Sequence, residues 1–211
     1  MELQALVTAF FTMFVIIDPI GLAPLFVALT QGADSAHRRA IALRAVGVAF
    51  LVLILFALFG EAVLGFAGIS MSAFKIAGGV LLFLTALDML FERRAARRGN
   101  QAHSGEADTA DDPSVFPLAT PLIAGPGSIA SIILLTNEAD GPLEFIAVIG
   151  VLCAVLALVL IFFLAGGLLA RILGTTGINV VTRLLGMLLA ALSVQFVIDG
   201  LRGINFAPML G

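Results

Sequence analysis

Asp18-Pro19-Ile20-Gly21-Leu22-Ala23-Pro24 interrupts an apolar run from about Leu3 to Thr30. A run that long spans a bilayer as one helix, yet its centre holds a carboxylate, a glycine and two prolines. Each proline removes a backbone donor and clashes with the carbonyl four residues earlier, so the pair predicts about a turn of unwound helix. Backbone groups freed in hydrocarbon must face protein, water or a ligand, and a polar cavity is expected beside them. A second interruption lies 102 positions on (18 to 120), where Thr120-Pro121 and Pro126 repeat the spacing of Asp18-Pro19 and Pro24. Paired breaks in corresponding halves of a membrane protein point to a transporter's substrate site.

The chemistry such breaks offer is ion binding by backbone. Asp18 and Thr120 are each placed to cap the half-helix that follows, with Pro19 and Pro121 at its first position, where a missing donor does no harm. Gly125 and Gly127 flank Pro126 and let backbone approach a small bound group. Two half-helix N-termini then converge near the midplane. Their N–H groups, at Gly21, Leu22 and Ala23 and from Gly125 to Ser128, suit a carboxylate. Freed carbonyls and Asp18 suit an ammonium or a cation. The expected substrate is therefore a small zwitterion such as an amino acid. Asp18 is also the first candidate to carry a coupling proton, because a charged carboxyl is costly at membrane depth. Thr85, Asp88, Ser193 and Gln195 are candidates for cavity lining or a proton relay, although Ser and Thr also bond their own helix backbone. Packing alone can retain a proline kink, and Asp18 can serve as a cap and nothing more.

These residues need helices to hold them. Hydrophobic residues make up 61% of the 211 positions and charged residues 12%, which marks an integral membrane protein, and runs of about twenty apolar residues make its spans helices. The fold class expected is all-α, with six transmembrane helices in two inverted three-helix repeats and helices 1 and 4 broken mid-membrane. The spans fall near 3–30, 40–60, 71–91, 114–136, 145–169 and 179–201. Residues 1–93 form the first repeat, 94–113 a polar cytoplasmic linker and 114–211 the second repeat, within one membrane domain. The linker is rich in Gly, Ser, Asp and Glu and can bury little. Beyond the breaks, Lys75-Ile76-Ala77-Gly78 resembles Arg183-Leu184-Leu185-Gly186, and Thr85 meets Ser193 at the same offset of 108 (75 to 183).

With both termini outside, nine of the 11 basic residues fall in inside loops, and only Lys75 and Arg202 remain outside. This positive-inside bias predicts termini outside the cytoplasm of a prokaryotic inner membrane. The first span begins after Glu2 with no basic residue ahead of it and is expected to be retained rather than cleaved as a signal. Cys153, the single cysteine, is expected to serve packing; no metal site or cofactor is expected. His37 and His103 lie in loops, no HExxH pair or serine elbow is present, and no second carboxylate makes a dyad with Asp18, so neither enzyme chemistry nor nucleic-acid binding is expected. The partners expected are a small-molecule substrate and the lipid bilayer. Glycine-rich helix faces allow a homo-oligomer.

Around Asp18-Pro19-Ile20-Gly21-Leu22-Ala23-Pro24-Leu25-Phe26, and from Phe116-Pro117-Leu118-Ala119-Thr120-Pro121 through Leu122-Ile123-Ala124-Gly125-Pro126-Gly127-Ser128-Ile129, the chain resembles the MarC family. The resemblance implies six spans with a hydrophilic central loop. It also implies transport of neutral amino acids such as glycine or alanine by a secondary, proton-linked mechanism. An inorganic cation transporter or channel is the alternative from the same chemistry, and a non-transporting membrane assembly or stress factor is the alternative from a different class.

Overall fold

The computed structural model describes residues 3–91 and 112–204, the side chains at 169 and 170 apart. Most of the predicted linker, with Arg94, Arg97 and Arg98, lies outside the described residues, as does Arg93 before it. The order is α1 (Leu3–Ile17), α2 (Pro19–Leu29), α3 (Ser35–Phe66), α4 (Met71–Leu90), a wide-wound segment α5 (Ser114–Ile123), α6 (Pro126–Asn137), α7 (Pro142–Leu164) and α8 (Gly166–Arg202). No strand occurs among the described residues. Among the described residues, five helical stretches are long and apolar enough to cross a membrane, with α1 and α2 together making one. The bent pair of α5 and α6 brings the number to six.

Start signals in the sequence set several of these boundaries. Asp34 caps α3 by accepting from His37 N at 2.7 Å, so the polar turn shrinks to a few residues and the helix begins well before the expected position 40. Ser70 caps α4 in the same way, accepting from Ala73 N at 3.2 Å. The stretch expected to connect the last two spans is helical too. It belongs to α8, which bends at Gly174 (φ 61°, ψ 178°), a conformation open to glycine.

The first span is the centre of the bundle. In its most apolar window 56% of residues are buried, against 33% for α3 and 22 to 28% for α4, α7 and the span of α8. Those outer helices instead expose Leu51, Leu55, Phe59, Ile161 and Leu188, as a lipid-facing surface requires. Cys153 is exposed on α7, so the packing role expected for it is not the one it has here.

Two seams hold the centre. On one side α7 packs against α1 and α2, where Phe26 and Phe163 stack with centroids 4.3 Å apart and planes 3° apart. A Cβ on Gly166 would come within 2.8 Å of Val27 and 3.3 Å of the Ala23 carbonyl. On the other side α4 and α8 run antiparallel in close contact. Cβ atoms added at Gly200, Gly79 and Gly186 would meet backbone of Ser72, Ser193 and Ala86 at 2.9, 2.7 and 3.3 Å. The contacts step along both helices by seven residues in opposite directions, and the glycine alternates between helices. Small residues at that repeat let two backbones approach within a membrane.

Candidate functional site

At the first interruption only one residue leaves helical geometry. Asp18 adopts φ 56°, ψ 66°, the left-handed region that Asp tolerates better than most side chains. Pro19 then starts α2, and Pro24 sits inside that helix. The turn of unwound backbone expected here is absent, because the ladder is largely kept: Asp18 N donates to Phe14 O at 2.9 Å and Leu22 N to Asp18 O at 3.0 Å. The Asp18 side chain is fully buried and its Oδ1 accepts from Gly21 N at 3.0 Å. A Cβ on Gly21 would lie 2.8 Å from the Asp18 Cγ. The absence of a side chain at Gly21 is what lets the carboxylate fold over the helix start.

The second interruption is larger. Axes of α5 and α6 differ by 57°. Phe116 (φ −126°, ψ 126°) and Thr120 (φ −134°, ψ 124°) are extended within α5, as residues before proline prefer. Both bonds to the following prolines are cis. Thr120 is exposed and caps no helix, contrary to the expectation, because the regular helix starts six residues later. There Gly125 is the cap residue and Pro126 the first helical position, with no side chain capping the start. Ser128, buried to 3% exposure, reaches back instead and donates to Ile123 O at 2.8 Å. Both glycines answer to protein contacts: a Cβ on Gly125 would meet Pro121 O at 2.6 Å, and one on Gly127 would meet Ile16 at 3.3 Å and Leu82 at 3.4 Å.

That last contact brings the two interruptions together, since Ile16 is two residues from Asp18. Ile17, Leu22, Leu118, Leu122, Ile123 and Ala124 also share one buried cluster. Asp18, Pro19, Leu22, Ala23, Gly125 and Ser128 are buried, Gly21, Pro121 and Gly127 half-buried, and Pro126 exposed. The relay candidates divide. Thr85 donates to Leu81 O at 2.9 Å and Ser193 to Ala190 O at 2.7 Å, both within their own helices. Gln195 is exposed and donates to Asp199 at 2.9 Å, so it does not line the centre. Asp88 is half-buried near the end of α4.

Sequence spacing aligned Asp18 with Thr120, but the helices start at Pro19 and Pro126, an offset of 107 (19 to 126). The matches at Lys75 and Arg183, 108 apart, lie one residue from that offset and six from the one between Asp18 and Thr120. Thr12 and Ser131, buried polar residues on α1 and α6, were not singled out, since hydroxyls inside apolar runs carry no spacing signal.

The family model for MarC family integral membrane proteins matches residues 3–205. The UPF0056 membrane protein MJ1677 of Methanocaldococcus jannaschii is 39% identical over 207 residues, covering 96% of this chain and 98% of that one. The UPF0056 membrane protein YvbG of Bacillus subtilis is 35% identical, with 96% and 97% covered. The UPF0056 inner membrane protein YhgN of Escherichia coli is 32% identical, with 95% and 98% covered. No solved structure matches the chain significantly. With matches spanning nearly all of its length, the chain belongs to the MarC family of integral membrane proteins.

Proposed function

We propose that this protein is a secondary transporter of small neutral amino acids, working by alternating access between two inverted three-helix halves in a prokaryotic inner membrane, with both termini outside. The observation that carries this reading is the packing of the first interruption against the second, Ile16 beside Gly127, with a buried carboxylate capping one helix start and no side chain capping the other. The asymmetry suits the two ends of a zwitterion. Gly21 N–H is already engaged by Asp18, so the free N–H groups at Gly127 and Ser128 are the better anchor for a substrate carboxylate. Asp18 with neighbouring carbonyls then faces the ammonium.

Packing supports the inverted halves. If α1 and α2 are exchanged with α5 and α6, α3 with α7, and α4 with α8, then the pairing α2 with α7 becomes α6 with α3. Likewise α1 with α7 becomes α5 with α3, and α2 with α8 becomes α6 with α4. All of these pairs are in contact. Alternating access by rocking one repeat against the other uses this kind of architecture. Reconstitution into proteoliposomes and uptake of labelled glycine tests the reading. Accumulation that rises with an imposed proton gradient is expected, and no uptake with or without the gradient would overturn it.

A further inference from the structure

At the end of the bundle where α1 begins, an open cleft of about 470 Å³ is lined by Gln4, Thr8 and Ala9 of α1 and by Leu135 and Glu138 at the end of α6. Its rim is charged, with Lys75 Nζ donating to Glu138 Oε1 at 2.8 Å. From the cleft, α1 and α6 run antiparallel towards the two interruptions: Ala9 and Leu135 share the cleft, and further in Ile16 packs against Gly127. Thr12 stands between Ala9 and Ile16 on one face of α1, three residues from the first and four from the second. Ser131 stands between Leu135 and Gly127 on α6, four residues from each, and so turns towards α1.

Both are buried, at 1% and 0% exposure. The Ser131 hydroxyl has no hydrogen-bond partner among the described residues, whereas Thr8, Thr85, Thr136 and Ser193 all donate to carbonyls of their own helices. A buried donor left over in a native fold calls for a reason. Here it lies on α6 between the open cleft and the second interruption.

We infer that the α1–α6 seam is the access route from the cleft to the central site, and that Thr12 and Ser131 form its narrow polar step. A small polar solute passing there exchanges hydrogen bonds with the Ser131 hydroxyl. The identity of that solute rests on the transporter reading above; the route does not.

The test uses the full chain with Cys153→Ala, carrying single cysteines and reconstituted in vesicles. A charged, membrane-impermeant methanethiosulfonate is added from the side on which Thr8→Cys reacts. Thr12→Cys or Ser131→Cys is expected to react at least about tenfold faster than Ile133→Cys, whose side chain packs at Gly60 of α3, because access sets thiol reactivity. Less than that ratio at both positions, in variants that remain monodisperse, overturns the route. Labelling at the expected rate in vesicles that take up no glycine supports the route and counts against the amino acid reading. Glycine uptake without such labelling does the reverse.

Discussion

The two interruptions carry similar sequence signatures and fold differently. In the first, a carboxylate occupies the cap position and bonds the third helical N–H, and the chain continues through two prolines as one apolar span. In the second, the cap position is Gly125, and the third helical residue, Ser128, uses its side chain on a carbonyl behind the break. One helix start is therefore neutralised from within and the other is open. A negative charge beside a helix N-terminus is held there by the helix dipole as well as by the hydrogen bond, so Asp18 belongs to α2 before it belongs to any ligand. Two identical helix starts would offer the same charge twice; these two differ, which is the basis of the zwitterion reading proposed above.

The largest effect is expected at Gly21. Gly21→Val places branched atoms where the Asp18 carboxylate lies, and overpacking of this kind costs about 3 kcal/mol. A large fall in thermal stability in detergent is expected, whereas the same melting point as the parent would mean the carboxylate does not sit over the helix start. Asp18→Asn is the sharper instrument, because Asn caps a helix about as well as Asp. If the charge serves transport, glycine uptake falls by about tenfold, equivalent to about 1.4 kcal/mol, with the melting temperature nearly unchanged. Parallel loss of both would reduce Asp18 to a structural cap. On the other side, Ser128→Ala removes one buried hydrogen bond and should destabilise by about 1 kcal/mol, measurable as a small shift in melting temperature. No shift would mean that the carbonyl of Ile123 is satisfied without it.

How far the sequence reached can be judged from the same residues. Apolar runs fixed the helices, because twenty such residues have few other stable states in a bilayer. Asp18 as a cap with Pro19 at the first position was legible from local chemistry alone. Thr120 was not, since the same two-residue pattern can start a helix or stand extended before proline, and only the packing of α5 against α3 selects between them. The length of α3 was underestimated because charged Arg38 and Arg39 read as loop, yet the cap at Asp34 extends the helix through them. The cleft and Ser131 were invisible for a further reason. They depend on which faces of α1 and α6 meet, and helices apolar on all sides have no periodicity that reveals their orientation.

A carboxylate does stand ahead of the second broken span, at the end of the linker rather than at the break. Asp112 Oδ1 accepts from Ser114 N at 3.1 Å, and Oδ2 pairs with Arg44 of α3. Partial burial works to raise its pKa. The hydrogen bonding from Ser114 and the charges of Arg44 and His37 outweigh it and hold the carboxyl below its ordinary value of 3.8. A carboxyl depressed in the folded state stabilises the protein above its unfolded pKa and loses that contribution as pH falls through the lower, folded value. Both partners are well hydrated, with side chains 33% and 52% exposed, so screening keeps the effect small. Asp112→Asn should cost less than about 1 kcal/mol at neutral pH. Melting curves of parent and variant should converge as the pH falls below the lowered, folded value of Asp112, where the parent's carboxyl also becomes neutral. A gap that persisted in acid would mean that the charge of Asp112 is not what stabilises the start of the second broken span.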